Sequence, residues 1–573
     1  MRAITTTVHR WGYAVPTTAE NPGESKRMNL LTAPWLPFEK VGGKVEYLPV
    51  TSVVSPDVID LALPRADFQG AAYQFLIGLF QTTFAPSNID QWMERYENPP
   101  TEQQLSDVLR PFRPCFELAS SGAGFMQDFD SLESGSRTPV AGLLIDSPGA
   151  STIKNNTDHF VKEGRIVAAC PNCAAMALFT MQINAPSGGK GYRTGLRGGG
   201  PLTTLLLPSS ESSSLWQKLW INVLESDSVG GSGVTGPDPD VFPWMAPTRT
   251  SENGQATLPS QVHPLHVFWA MPRRFRLEFE HREACCDLCG QVSSLSVRHI
   301  RTRNYGNNYD GPWRHPLTPY RRDSKQPQQA PLSIKGQPGG IGYRHWESLV
   351  LEDAQGEGSL PALNVLDYPR KADECEAEGV ELPRVARLWS FGYDMDKMKP
   401  RGWVGTQLPF LALPNRHQER LQNWLRTMVT YAKEVCWQLR RSTKEAWFKR
   451  PSEAKGDLEY IDSRFWEQTE QPFYDLLAQL GSRLLAEDIR RLPADIAKQW
   501  YLDVRHQASA IFDELTLSGP PEALNMKRIT KARNGFHGWF SKNKTARNFR
   551  RQTGMDDQSS AGNEPDQVQP AID

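Results

Sequence analysis

Apolar residues set the first landmarks along the chain. Phe68, Ala72, Phe75, Leu76, Leu79 and Phe80 recur at helical spacing and Pro86 closes the segment, which predicts a helix over 66–84. Upstream, residues 1–27 are polar, and at Met28 the texture turns apolar with MNLLTAPWLPF, read as the start of the fold and of its first strand. Gly42-Gly43 separates two short extended runs and predicts a hairpin turn. From about 120 to 400, short apolar runs lie among Gly, Pro, Ser and Asn, the texture of a mixed α+β domain with long loops. Segments 209–236 and 323–340 read as surface loops. Beyond Pro414 the period becomes helical over 416–449, 457–480, 486–515 and 520–542, with breaks at Pro451, Gly481 and Gly519. Four amphipathic segments with short connections predict an antiparallel four-helix bundle.

The expected fold class is therefore α+β. A disordered extension (1–27) precedes a large mixed domain carrying a metal site (28–405). A four-helix bundle (406–544) and a disordered tail (545–573) follow. At 573 residues the chain exceeds what one compact core supports. A formal net charge of −1 gives no global reason to expect nucleic acid, so any such contact must come from local basic patches. Most of the 17 Trp are expected in the core. No stretch approaches the ~20 apolar residues of a membrane-spanning helix, and the N-terminus lacks the apolar run of a secretory signal. The eight Cys, four of them in tight pairs, point to metal binding in a reducing compartment, the cytoplasm, with no membrane partner.

Two CxxC motifs carry the strongest chemistry: Cys170-Pro-Asn-Cys173 and Cys286-Asp-Leu-Cys289. Two such turns complete the four-thiolate tetrahedron that zinc prefers, and a full shell leaves no position for water, so the zinc is expected to be structural. Cys285 is an adjacent rival ligand with poorer spacing to Cys289. A redox dithiol and an iron–sulfur cluster are the competing readings. Next comes the glycine-rich run 187–200, in which Gly188, Gly189 and Gly191 allow close backbone approach and Lys190, Arg193 and Arg197 supply charge suited to phosphate; a mobile polar loop is the plain alternative. Basic residues 298–303 leading into Asn304, Tyr305 and Tyr309, with Trp313 beyond, have the composition of a nucleic-acid surface or of a solvated loop with buried Tyr. Lys527, Arg528, Lys531, Arg533, Lys542, Lys544, Arg547, Arg550 and Arg551 form a basic C-terminal stretch nearly unopposed by neighbouring acids, suited to phosphates of a single strand or simply to a solvent face. No HExxH, GxSxG or Walker motif is present, which favours a binding protein over an enzyme.

In order along the chain, MNLLTAPWLPF at Met28, LPRADFQGAA at Leu63, GFMQD at Gly124, CPNCAAMALF at Cys170, GLRGGGPLTT at Gly195 and CDLCGQ at Cys286 make the sequence resemble the large subunit, often called CasA, of the type I-E CRISPR Cascade complex. The resemblance covers about 28–542. It implies a non-catalytic subunit of a crRNA-guided complex that recognises the protospacer-adjacent motif as duplex DNA, helps start unwinding and R-loop formation, holds the displaced strand and recruits a separate nuclease–helicase. Its partners would be target DNA, the crRNA 5′ end and the other Cascade subunits. It also assigns roles. Phe160, Val161 and Lys162 fall on the loop that meets the guide end and the motif region, and 187–191 fall on the minor-groove loop, with Ser187 and Lys190 where the familiar pattern has glycines. Asn304, beside Arg303, falls on a motif-contacting lysine. Asp396, Lys397 and Met398 fall on the wedge, where the familiar pattern has an asparagine followed by a glutamine. Lys527, Lys531 and Arg533 are the candidates for the displaced strand. The zinc is expected to hold the roots of the DNA-facing loops relative to one another. A stand-alone zinc-dependent nuclease and a purely structural scaffold are the alternatives.

Overall fold

The computed structural model describes residues 28–552 except 121, 157, 159–161, 212, 232, 324, 327, 353–357, 397–398, 454–455, 521 and 523. The expectations for 1–27 and for the end of the tail lie outside the described residues. Strand β1 (Leu36–Lys40) pairs antiparallel with β2 (Val45–Leu48) and, on its other edge, with β3 (Val58–Leu61). Gly42 and Gly43 turn the β1–β2 hairpin at φ +90° and +80°, the left-handed values that a tight hairpin turn demands and glycine supplies at little cost. Helix α1 (Ala66–Thr83) is buried on nearly every side, which is why its sequence lacks a polar face. Around its Phe75 stand the rings of Trp35, Phe116, Phe125, Phe179 and Trp269, each edge-on with centroids 5.5–6.0 Å away. Among the described residues ten Trp are buried, as expected of core residues, while Trp437 is half exposed.

Helices α2 (Ile89–Glu97) and α3 (Glu102–Leu109), strand β4 (Ser136–Pro139) and the short α4 (Ala150–Lys154) lead to α5 (Pro171–Asn184), which packs on α1. Strand β5 (Thr203–Pro208) and α6 (Leu215–Trp220) follow. Then come β6 (Arg274–Glu280), the small ladder of β7 (Ala284–Cys285) with β8 (Val292–Ser293), and β9 (Ser296–Arg303), the centre of the β4-β9-β6 sheet. A third three-stranded sheet has β10 (Tyr320–Arg321) between β11 (Leu332–Ser333) and β12 (Ser359–Leu360). After α7 (Trp346–Val350) and α8 (Leu363–Glu378), the long hairpin of β13 (Val385–Asp396) and β14 (Lys399–Leu411) joins β5 edge to edge through β13.

The remainder is helical: α9 (Asn415–Trp447), α10 (Glu459–Ala486), α11 (Ala494–Leu517), α12 (Met526–Lys542) and α13 (Lys544–Gln552). Helix α9 touches each of the other four. Trp500 Nε1 donates to Met428 O at 3.0 Å, and Trp447 Nε1 to Leu515 O at 3.1 Å. Tyr343 ties these helices to the mixed part, stacking on Phe473 at 4.4 Å and sharing a 2.9 Å hydrogen bond with Thr469.

Three boundaries differ from expectation. The border at 405/406 falls inside β14, whose pairing with β13 carries the strand on to Leu411. Gly481 ends nothing: α10 runs through it, and its bare Cα admits Leu411, whose Cδ1 would sit 2.6 Å from an added Cβ. The ordered chain also continues past 544, because Ala546 and Phe549 give α13 a narrow apolar stripe, with Phe549 stacked on Tyr431 at 4.3 Å.

Candidate metal centre and nucleic-acid interface

Cys170, Cys173, Cys286 and Cys289 converge, with all four Sγ atoms within 4.8 Å of one another. Four sulfurs at about 2.3 Å from a central zinc lie about 3.8 Å apart, and Cys170 Sγ and Cys289 Sγ are 3.8 Å apart. The donor set thus fits a tetrahedral thiophilic ion. Cys170 caps the N-terminus of α5 and its sulfur accepts from Cys173 N at 3.5 Å, with Pro171 filling a first-turn position that needs no donor. Gly290, at φ +76°, turns the second knuckle. Cys285 is exposed and points to Gly290 O, so the rival ligand is excluded from the cluster. Crowded buried thiols cannot all ionise alone. Hydrogen bonds from Cys170, Cys173 and Cys289 hold the Cys286 thiol far below its usual value, while those with Cys170, Cys286 and Cys289 push Cys173 far up. A divalent cation would let all four ionise together.

The two knuckles are also joined without metal. The Asp287 carboxylate accepts from Val167 N at 2.7 Å and Ala168 N at 2.9 Å, and Ala169 bridges Val297 through bonds of 2.9 and 2.8 Å. Asp287 stands inside the CxxC itself, where its role is masked by the cysteines. From this junction α5 and β9 set out together, and their far ends deliver the glycine run and Arg303-Asn304 to one place. The cluster therefore sits at the starts of these two elements, about 20 Å of helix away from the loops they end in.

At that far end, Asn304 Nδ2 donates to Lys190 O at 2.8 Å, and Tyr305 N to Gly191 O at 2.8 Å. Gly191, at φ +78°, has space for no Cβ, since one would lie 2.8 Å from Asn304 Cβ. The side-chain amide of Asn304 is thus engaged in bracing the glycine run, and Arg303 and Lys190 are the exposed cations beside it. Two arginines expected to serve phosphate are spent inside the protein. Arg193 binds Ser251 through Oγ at 2.7 Å and O at 3.1 Å. Arg197 is buried on Thr203, Thr318 and Ile183 O, and burial pushes its guanidinium down to about 10. The following aromatic run is also largely structural: the Tyr309 hydroxyl accepts from Met271 N, and Trp313 is buried.

The other end of the glycine run meets the β13–β14 hairpin. A Cβ at Gly200 would fall 2.5 Å from Met395 Cγ and 3.1 Å from Tyr393 O. Below the tip, Arg401 grips Asp394 with bonds of 2.7 and 3.1 Å, and the Tyr393 hydroxyl donates to buried Asp67 of α1, anchoring the hairpin in the core. Asp396 is exposed at the tip; Lys397 and Met398 lie outside the described residues, as do Phe160 and Val161. Lys162 is exposed and 3.5 Å from Asp158. It rims a cavity that also receives Tyr192 of the glycine run and Arg273, a residue with no motif around it to single it out.

On α12, Lys527 and Lys531 are exposed one turn apart. Arg533 is not unopposed, because Asp513 of α11 pairs with it through bonds of 2.7 and 2.8 Å; the acid is distant in sequence and near in space. Arg528 likewise donates inward to Ala446 O and Trp447 O. Among the described residues no helix is long and apolar enough to cross a membrane.

A family model described as CRISPR-associated protein Cse1 matches residues 29–511. Among solved structures, Thermus thermophilus CasA (Cse1) is 18% identical, with a TM-score of 0.64 over 90% of this chain and 99% of that one. Thermobifida fusca Cse1 is 15% identical, with a TM-score of 0.65 over 92% and 98%. A chain of a CRISPR RNA-guided surveillance complex is 15% identical, with a TM-score of 0.59 over 89% and 99%. At such identities the structural likeness speaks for the fold. The family match, which spans most of the length, bears out the resemblance read from the motifs: the chain belongs to the CRISPR-associated protein Cse1 family.

Proposed function

We propose that this chain is the large, non-catalytic subunit of a type I-E crRNA-guided surveillance complex, and that it reads a short flanking motif in duplex DNA. One observation carries the reading: the glycine run is clasped between Asn304 and the β13–β14 hairpin, with exposed Lys190 and Arg303 alongside. A narrow backbone ridge flanked by two cations suits a minor groove, where base edges are degenerate and several motifs are tolerated. The hairpin tip at Asp396, with Lys397 and Met398, is the wedge that enters beneath the motif. Opening the first base pairs costs a few kcal/mol, which cationic contacts to the freed strand offset. Lys527 and Lys531 are the stronger candidates for that strand, since Arg533 is already paired.

In this reading the four thiolates hold a structural zinc and leave it no open position for water, which argues against a zinc-dependent nuclease. Helices α9–α12 act as a four-helix bundle toward neighbouring subunits, with α13 packed on α9 and α12. The separate nuclease–helicase is recruited to the assembled complex in the cytoplasm. The likeness to a chain of a surveillance complex supports partnership with a guide RNA and other subunits.

The test is a reconstituted guide complex carrying Lys190→Ala or Arg303→Ala in this subunit. Each lost phosphate contact should weaken target binding and lower the salt dependence by about one unit of slope. Unchanged binding and slope in both variants would remove these residues from the interface. Sustained cleavage of duplex DNA by the purified chain with Mg²⁺ or Mn²⁺ would overturn the non-catalytic reading.

A further inference from the structure

Between the β4-β9-β6 sheet, the turn after β4 and the glycine run lies a cavity of about 920 Å³. Its walls are mainly apolar, with Ile145, Ile153, Ile166, Met181, Phe275 and Ile300 among them. Arg273 lines it too, only 6% exposed. One guanidinium nitrogen donates to Pro186 O, while Nε and Nη1 have no partner. Of the three carboxylates that line the cavity, Asp146 pairs with Arg65 at 3.0 Å, Asp287 accepts the backbone donors of the metal junction, and Glu163 is exposed. Among the described residues no carboxylate neutralises Arg273. Burial pushes its guanidinium down to about 10, so it remains a cation at neutral pH.

A buried cation with unpaired donors and no ion-pair partner is costly to maintain, because desolvation is not repaid. Its position is nonetheless fixed. Tyr192, 41% exposed at the cavity rim, lies under the guanidinium with 4.6 Å to the ring centroid. Arg298 Nε and His299 Nδ1 of β9, which also line the cavity, have no hydrogen-bond partner either; Glu280 is 3.9 and 3.7 Å from them. Apolar walls, unsatisfied donors and a rim tyrosine match a ligand that combines a flat ring with acceptor oxygens. The volume is ample for a nucleotide.

We propose that this cavity receives a single nucleotide unit, its acceptor oxygens on Arg273 and its base among the apolar walls beside Tyr192. The inference rests on the nucleic-acid reading above and adds to it a pocket for one unstacked residue, distinct from groove contacts along the glycine run. Recognition of a splayed nucleotide by one guanidinium and one aromatic ring follows the usual chemistry of single-strand binding.

The test is isothermal titration of the full-length chain with nucleoside 5′-monophosphates, with inorganic phosphate, and with short single-stranded RNA and DNA. A saturable nucleotide site is expected, weakened about tenfold or more, a loss of ~1.4 kcal/mol, by Arg273→Gln and by cavity-filling Ile145→Trp. Competition by RNA or by DNA identifies the source of the nucleotide. Circular dichroism checks folding; should Arg273→Gln misfold, Ile145→Trp and Tyr192→Ala decide. No saturable binding, equal binding by the variants, or phosphate alone binding as tightly as nucleotide would each overturn the proposal. Target-DNA binding by complexes carrying Lys190→Ala is scored separately, so the pocket can fail while the groove reading stands.

Discussion

Breaking the thiol cluster should destabilise this protein without abolishing its fold. Cys286→Ser removes one of four ligands from a site that closes a loop of more than a hundred residues, between Cys173 and Cys286. Cross-linking a loop of that length is worth about 4–5 kcal/mol in the chain-entropy account. The same junction keeps its metal-independent ties: two Asp287 bonds at 2.7 and 2.9 Å, and the paired bonds between Ala169 and Val297. The aromatic core around Phe75 is not part of the cluster and persists. The expected loss is therefore about 4 kcal/mol, read as a fall in Tm of roughly 3–5 °C for a chain this large. Metal content by plasma emission spectrometry, with scanning calorimetry, measures both sides: one zinc per wild-type chain, less than one in the variant, and the lower Tm. Cys285→Ser is the internal control and should change neither, because its sulfur is exposed and outside the cluster. The reasoning is refuted if wild-type protein purified without thiophilic metal melts with the metal-loaded protein, or if Cys285→Ser mimics Cys286→Ser.

Three further outcomes are expected. Asp128→Ala strips the carboxylate from Arg274, both buried, and should cost about 3–5 kcal/mol in denaturant unfolding, because it leaves a buried guanidinium short of its partner. His266, bonded to Asp240 O and near the Tyr309 hydroxyl, is held neutral by burial, which pushes it down to about 4. The unfolded chain then takes up the proton first, so stability is full above about pH 6.5 and falls toward pH 4, by up to about 3 kcal/mol; urea midpoints at several pH values, compared with His266→Gln, should show a flatter slope in the variant. Gly306→Ala places a Cβ 2.1 Å from Pro272 O, a backbone atom that cannot step aside. It should cost about 1–3 kcal/mol and speed hydrogen exchange at Gly191 and Tyr305; unchanged exchange would show that Gly306 does not hold that loop.

What was legible in the sequence was whatever depended on near neighbours. The period around Phe75 marked α1, Gly42-Gly43 marked the first hairpin, and the paired CxxC spacing marked a cluster that the fold assembles from distant segments. The cysteine pairs were readable because metal ligation restricts both residue type and spacing. Charge was read less well, since sequence neighbours do not tell which cations are already paired. Arg193, Arg197 and Arg533 each find a partner far along the chain, in Ser251, Thr318 and Asp513. Gly481 reads as a break because glycine weakens a helix locally, whereas the close approach of Leu411 explains it. Arg273 carries no local signal; only the cavity and the missing counter-charge single it out.

Whether this subunit reads duplex DNA for a guide complex is decided by selection from a target library with randomised flanking bases. Complexes reconstituted with and without this chain would be compared on the same matched protospacer. Enrichment of a short flanking motif is expected only when the chain is present, with affinity falling by about tenfold or more per disfavoured base pair and the preference eroded by Lys190→Ala. Equal enrichment of all flanks, or the same motif selected without the chain, would contradict that role.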